Sequence, residues 1–173
     1  MYNILQVRLH PALIALLENV LNAGPGKKYK IDLQYITARG NWYHTSWKGD
    51  INKSGGITTN IGVHFFDLLL WIFGEVKESV VHTISHTTAS GQLNLKSAEV
   101  SWLLSIDKNK LPEKTKKDGK RTYRILTVND EVIDLSNDFH EIHTKVYKEI
   151  LDGKGFGLDE VYETIKLVHQ IRN

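Results

Sequence analysis

The sequence contains no cysteine, and this absence excludes several kinds of functional site at once. Disulfide bonds, thiolate metal sites and cysteine nucleophiles cannot occur in such a chain. The absence fits a reducing compartment, and we expect a cytoplasmic protein. The amino terminus agrees with this expectation, because Arg8 and His10 interrupt its only apolar stretch and leave no hydrophobic segment for a secretion signal.

The chain also lacks a strong excess of one charge and a long apolar run. A formal net charge of +2 over 173 residues does not predict a nucleic acid partner. The longest apolar run, residues 68–73, is too short to cross a bilayer, so we expect no membrane association. A hydrophobic fraction of 41% is ordinary for a globular protein, and no repeat or linker divides the chain. We therefore expect one domain over residues 1–173.

Glycine motifs that bind nucleotide phosphates are missing as well. No Gly-x-Gly-x-x-Gly sequence follows a predicted strand, and no Walker-type Gly-Lys-Ser/Thr is present. The glycine-rich residues 153–157 lie between two predicted helices, so we interpret them as a turn.

The hydrophobic pattern predicts a run of strands followed by helices. Predicted strands cover residues 4–9, 29–38, 76–88, 93–106, 122–128 and 131–135, the last two joined by Asn129-Asp130. Predicted helices cover residues 12–21, 60–74, 140–151 and 158–171. This order indicates an α+β fold with an open-faced, mainly antiparallel sheet and helices packed on one face. The lysine-rich residues 107–121 are interpreted as a solvated loop rather than a phosphate site.

The strand predicted at residues 93–106 has a defect in its alternation. Leu93 and Leu95 lie in one phase, whereas Val100 and Trp102 lie in the other. A β-bulge near Ser97, or packing on both faces of the strand, would account for the change of phase.

The helix predicted at residues 60–74 is the most informative segment, because a polar stripe runs along an otherwise apolar helix. Asn60, His64, Asp67 and Trp71 follow one another at spacings of four, three and four, which places them on one face. Burying polar groups costs several kcal/mol unless each finds a partner, so the stripe faces a cleft or an internal network. We favour the cleft.

His64 titrates near neutral pH and is suited to act as a general base toward a hydroxyl group. Asn60 could hold one ring nitrogen, and Asp67 could orient the ring or the helix. A structural histidine with both nitrogens satisfied is the alternative, and the residues alone do not separate the two. No metal is expected, because Asn60, His64 and Asp67 offer a single imidazole.

The segment 39–56 combines aromatic stacking surfaces with cationic donors. Such a mixture suits a sugar nucleotide, whose rings stack and whose acidic groups pair with Lys and Arg. An aromatic loop that simply packs on the sheet is the alternative. Five residues of this segment are candidates for substrate binding: Arg39, Asn41, Tyr43, Trp47 and Lys48. Asp67, from the polar stripe, is a sixth candidate.

Residues 55–67, GGITTNIGVHFFD, resemble the GG-x-x-x-(D/N)-x-G-x-H-x-x-D motif of the glucose–fructose oxidoreductase, inositol dehydrogenase and MocA (Gfo/Idh/MocA) oxidoreductases. Within this family the chain is most similar to the WbpB/WlbA-type enzymes of lipopolysaccharide O-antigen synthesis. The segments that carry this narrower resemblance are LQVRLHP, RGNWY, SWKGD and GKGFG, at residues 5–11, 39–43, 46–50 and 153–157.

The resemblance implies an enzyme that oxidises the 3-hydroxyl of a UDP-N-acetylglucosaminuronate-type sugar nucleotide with NAD. It assigns His64 as the base and Asn60 to a catalytic position that is more often aspartate in the family. The hydride acceptor would be held by an amino-terminal dinucleotide-binding domain that these residues do not contain. We therefore expect this chain by itself to be inactive and not to bind NAD tightly.

We also expect a homo-oligomer, a dimer or tetramer, that forms through the open sheet face, on which we place Trp102 and neighbouring hydrophobic residues. The alternative function is a non-enzymatic sugar-nucleotide-binding or assembly module of the same fold. A hydrolase that uses His64 with Asp67 is less favoured, because the sequence offers no nucleophile for it.

Overall fold

A six-stranded sheet with the order β2-β3-β4-β1-β5-β6 forms the centre of the fold. The computed structural model describes residues 2–24, 26–136 and 139–173, without the side chains of residues 139–141. The strands are β1 (Tyr29–Thr37), β2 (Val76–Ile84), β3 (Thr88–Leu95), β4 (Ala98–Ser105), β5 (Thr122–Val128) and β6 (Glu131–Asp134). The central pair, β1 and β4, is parallel and the other neighbouring pairs are antiparallel, so the predicted mainly antiparallel sheet is confirmed.

Helices of very different lengths connect the strands. They are α1 (Pro11–Asn22), α2 (Asn41–Thr45), α3 (Ile51–Ser54), α4 (Val63–Phe73), α5 (Glu113–Lys117), α6 (Phe139–Leu151) and α7 (Tyr162–Arg172). Short 3-10 helices lie at Gln6–Leu9, Lys108–Lys110 and Asp159–Val161, and a π-helical turn, Thr58–Gly62, precedes α4.

Helix α4 is the centre of the hydrophobic core because apolar residues surround almost its whole circumference. Phe66, Leu68 and Leu69 are fully buried, and the Phe66 ring meets the Trp102 ring edge-on at 5.2 Å. Trp102 is only 2% exposed, so our prediction that it lies on the open sheet face is wrong. The Trp102 side chain lies on the face of β4 that packs against the helices, the same face as Val100 and Leu104.

The helical residues between Ile51 and Phe73, which are interrupted at Gly55, are together long and apolar enough, by length and composition, to cross a membrane. Most of this run is buried inside the protein, as expected for the core helix of a globular fold.

Three strands occupy the region where the sequence suggested two. Strand β3 begins at Thr88, after a turn in which the Ser85 hydroxyl accepts hydrogen bonds from the amides of Thr87 and Thr88. A tight turn at Lys96-Ser97 then separates β3 from β4. The change of phase between Leu95 and Val100 therefore marks a hairpin, and our explanation by a bulge is wrong.

Residues 4–9, predicted as a strand, form the 3-10 helix Gln6–Leu9 instead. The strand prediction required Gln6 and Arg8 to face solvent while Val7 faced the core. All three side chains are buried, so the segment does not alternate.

Residues 107–121 cover the outer face of the sheet at one end. Leu111 and Thr115 of this segment are 5% and 8% exposed, and the outward-facing Ile36 and Ile125 are also buried. Away from this end the outer face is polar, with Lys30, Gln92 and Glu99 around a shallow depression.

Candidate functional site

Two glycines form the sharp entry to the helix that carries His64. Gly55 and Gly56 both have φ of +76°, in the left-handed region that favours glycine. A Cβ atom on Gly55 would lie 2.5 Å from the Thr59 hydroxyl and 2.8 Å from the Arg172 guanidinium. Gly55 is therefore required by the packing of the chain itself, and Gly56 by its backbone conformation. The π-helical turn that follows contains Asn60, and such turns are frequent at functional sites.

His64 lies in the first turn of α4 and is half-buried. Within the described part of the chain, neither ring nitrogen forms a hydrogen bond. Burial lowers the pKa of His64 below its usual value, the Asp67 carboxylate raises it, and the charges of His143 and Arg124 lower it further. The imidazole is therefore neutral near pH 7 and free to accept a proton.

Two residues whose charges act on His64 were not among the predicted site residues: Arg124 from β5 and His143 from α6. Arg124 in turn contacts Tyr35 of β1. The Arg124 guanidinium lies 4.7 Å from the centre of the Tyr35 ring and donates to its hydroxyl at 3.3 Å. Arg124 is in phase with the buried Leu126 and Val128, and this inward-facing arginine was the available signal.

Asn60 connects the His64 helix to the aromatic segment 39–56. Its side-chain amide donates to the backbone carbonyl of Lys48 at 3.1 Å and to the Tyr43 hydroxyl at 3.5 Å. Tyr43 is 3% exposed, and burial raises the pKa of its hydroxyl, while the nearby Arg39 charge lowers it. Asn60 thus holds the segment in place next to His64.

The other predicted binding residues surround Tyr43 and are more open to solvent. The Arg39 guanidinium lies 5.9 Å from the centre of the Tyr43 ring, and the Lys48 ammonium lies 5.8 Å from that of Trp47. Trp47 is 58% exposed, and Asn41 is exposed as well. A hollow of about 210 Å³ lies beside Tyr43 and Lys48, walled by the glycine pair. The structure therefore brings these five residues and Asn60 into one neighbourhood.

Asp67 is placed differently from the rest of the predicted site. It is 1% exposed, and its two carboxylate oxygens accept hydrogen bonds from Nε and Nη2 of Arg8, each at 2.8 Å. Arg8 also donates to Glu160 at 2.7 Å and lies 5.5 Å from the centre of the Trp71 ring. The lower half of the stripe, Asp67 and Trp71, therefore faces an internal network, contrary to our expectation of a cleft.

The Arg8 network joins two segments that are distant in the sequence. Asn3 and Phe156 form an isolated antiparallel β-bridge. The Asn3 side chain also donates a hydrogen bond to the carbonyl of Gly157 at 2.8 Å. The Phe156 ring centre lies 5.1 Å from the Arg8 guanidinium. The glycine-rich residues 153–157 thus form a turn that packs on the amino-terminal segment.

Comparison with known proteins agrees with this geometry. A family model described as the oxidoreductase family, C-terminal alpha/beta domain (GFO_IDH_MocA_C) matches residues 24–110, half of the chain. The WlbA (WbpB) dehydrogenase from Thermus thermophilus, solved with NAD and alpha-ketoglutarate, is 46% identical over 99% of this chain, with a TM-score of 0.93. The chain belongs to the Gfo/Idh/MocA oxidoreductase family. The resemblance and the fold predicted from the sequence are thereby confirmed.

Two further solved structures are similar to this chain. The Thermus enzyme solved with NAD and UDP-GlcNAcA is 45% identical over 99% of this chain, again with a TM-score of 0.93. The WlbA dehydrogenase from Bordetella pertussis is 17% identical with a TM-score of 0.74, which shows a shared fold. This chain spans 55% of the length of the Thermus enzyme.

The Gfo/Idh/MocA motif at residues 55–67 divides into parts with separate structural roles. Gly55 and Gly56 form the turn, Asn60 holds the aromatic segment, His64 carries a half-buried imidazole, and Asp67 binds Arg8. In the described residues, His64 and Asp67 are not hydrogen-bonded to each other, so the pair needed by the hydrolase alternative is not formed.

Proposed function

We propose that this chain is the substrate-binding and assembly domain of a cytoplasmic, NAD-dependent dehydrogenase of O-antigen synthesis. Its substrate would be UDP-N-acetylglucosaminuronate or a similar sugar nucleotide, oxidised at the 3-hydroxyl. The relative solved with NAD and UDP-GlcNAcA supports this proposal, because it is 45% identical over nearly the whole chain. The structural observation that carries the proposal is the half-buried imidazole of His64, whose pKa is lowered by burial.

His64 is the proton acceptor in this proposal. A ring nitrogen takes the proton of the sugar hydroxyl, which requires the unprotonated imidazole that burial favours. The imidazolium formed is then stabilised by the Asp67 carboxylate, whose charge raises the pKa of His64. Asn60 acts as a positioning residue, since its amide fixes the segment that carries Tyr43 and Lys48.

The described residues do not form the glycine-rich turn that holds the pyrophosphate of a dinucleotide in Rossmann domains. Such a site needs a glycine-rich turn between a strand and a helix. Gly55 and Gly56 instead join α3 to the π-helical turn, and residues 153–157 follow α6. We therefore propose that residues 1–173 form one domain, and that the hydride acceptor is held by a separate dinucleotide-binding domain.

The sugar nucleotide itself would be held by the residues around Tyr43. Lys48 and Arg39 supply cations for its carboxylate and phosphates, and Trp47 supplies an exposed ring for stacking. Asn41 supplies an exposed amide. Asp67 is omitted from the contacts, because both of its oxygens bind Arg8.

Assembly through the outer sheet face is also part of the proposal. Helices pack against the opposite face, and Val80 and Val132 are 42% and 61% exposed on the outer strands. These valines lie on the two edge strands of a largely polar face, so the proposal rests on the openness of the sheet and not on a continuous apolar patch.

The test is the His64→Gln variant in the protein joined to its dinucleotide-binding domain. We expect kcat to fall by a factor of about 10² to 10⁴, the usual contribution of general base catalysis, while binding of UDP-GlcNAcA is retained. His169→Gln is the matched control, because His169 is exposed on α7. An unchanged kcat for His64→Gln would remove this residue from the mechanism and favour the non-enzymatic binding module.

A further inference from the structure

A second cavity, of about 690 Å³, lies at one end of the sheet. Its walls are the residues that directly follow β1 and β4, together with those that directly precede β3 and β5. Because β1 and β4 are parallel, their carboxyl ends meet here. In sheets with parallel strands, this end is where ligands commonly bind.

The cavity has a strongly positive lining. Five cationic side chains and a single carboxylate contribute to it: Arg39, Lys108, Lys116, Lys120, Arg121 and Asp107. The Asp107 carboxylate already accepts a hydrogen bond from the backbone amide of Asn109 at 2.9 Å. Among the described residues, only Lys116 of these cations has an acidic partner, Glu113 at 2.7 Å. The concentrated charge is therefore available to an anionic ligand.

The lysines are presented by an anchored segment rather than by a freely solvated loop. Two side chains of this segment, Leu111 and Thr115, are buried. The Lys120 backbone amide donates a hydrogen bond to the Thr115 carbonyl at 3.1 Å. The Ala38 amide donates to the Arg121 carbonyl at 2.8 Å, which fixes the end of the segment to β1. A fixed arrangement of cations binds an anion with less loss of conformational entropy than a flexible one.

Arg39 connects this cavity with the proposed substrate site. Its Nε atom is buried and has no hydrogen-bond partner within the described part of the chain. The same guanidinium lies beside the Tyr43 ring, and the Tyr43 hydroxyl contacts Asn60, one turn before His64. Tyr43 thus links the cation cluster, through Arg39, to the helical segment that carries Asn60 and His64.

We propose that this Arg39–Lys120 cavity binds a diphosphate group. A diphosphate carries several negative charges on closely spaced oxygens, which matches cations arranged around one concave site. The group could belong to the nucleotide part of the substrate, an assignment that rests on the proposed function, or to a free diphosphate.

The test is calorimetric titration of the full chain with inorganic pyrophosphate and, separately, with UDP. The Lys108→Gln/Lys120→Gln variant removes two cations from the cavity. The Lys114→Gln/Lys117→Gln variant is the matched control, because it removes two exposed lysines of the same segment that do not line the cavity. We expect the cavity variant to weaken pyrophosphate binding about tenfold or more, and the control about twofold or less.

The outcomes separate the two sources of the diphosphate. If the cavity variant weakens both ligands, the site accepts the diphosphate of a nucleotide. If it weakens pyrophosphate alone, the site accepts a free diphosphate. The inference would be overturned if the chain did not bind pyrophosphate, or if both variants lost pyrophosphate affinity to the same extent. Failure of the proposed function would appear instead in the His64→Gln experiment, with the pyrophosphate result intact.

Discussion

Replacement of Arg8 by Met should destabilise the protein far more than loss of a surface ion pair. Arg8 is 5% exposed, and its guanidinium makes two hydrogen bonds of 2.8 Å with the Asp67 carboxylate, which is 1% exposed. In Arg8→Met the carboxylate remains buried without its cation. The expected cost is about 3–5 kcal/mol, the usual effect of removing one partner from a buried ion pair.

Glu160→Gln provides the comparison within the same network. Glu160 binds Arg8 at 2.7 Å, but its side chain is 45% exposed. Water screens and replaces such a partner, so the expected cost is about 1 kcal/mol or less. Thr164, whose hydroxyl donates to Asp67 at 3.3 Å, remains in both variants and does not affect the comparison.

The assay is urea unfolding followed by circular dichroism, supported by thermal melts. For a chain of this length, the Arg8→Met loss corresponds to a Tm lowered by about 10 °C. The Arg8→Met/Asp67→Leu double variant should recover part of the loss, because it removes the unpaired charge together with its partner. Equal costs for Arg8→Met and Glu160→Gln, or a double variant no more stable than Arg8→Met, would refute this reasoning.

Two further predictions concern His64 and the sheet face. Because burial lowers the pKa of His64, the unfolded chain binds a proton at this residue more readily than the folded chain. The free energy of unfolding should therefore fall as the pH drops below about 6.5. Unfolding measured at a series of pH values should show a smaller dependence on pH in His64→Gln. An NMR titration in which His64 protonates above its ordinary pKa would contradict it. Val80→Glu on the outer face should shift the sedimentation coefficient toward that of a monomer, whereas Leu21→Glu, an equivalent change at a 71% exposed position on α1, should not. A monomeric parent chain would disprove the proposed assembly surface.

The local parts of the fold were predictable from the sequence. Strand β1 agrees with its prediction to within a residue, because its polar residues alternate with inward-facing ones. The hairpin of β5 and β6 follows from Asn129, which adopts a φ of +54° in the turn. Both features depend on residues that are close together in the chain.

The wrong predictions depend on contacts between distant residues. Arg8 is polar, so alternation placed it on the solvent side of a strand, but its partner Asp67 lies 59 residues further on. The same contact removed Asp67 from the open part of the stripe. Arg124 escaped notice for the same reason, since β5 reaches the His64 helix only through the assembled sheet.

The reach of the Arg8 network also affects how this domain should be delimited. The family match begins at residue 24, which invites a cut at that point. A chain trimmed there would lose the guanidinium that neutralises Asp67 and the contacts of Asn3 with the carboxy-terminal turn. Truncation at residue 24 would thus disturb the helix that carries His64, although the deleted residues lie outside the recognised domain.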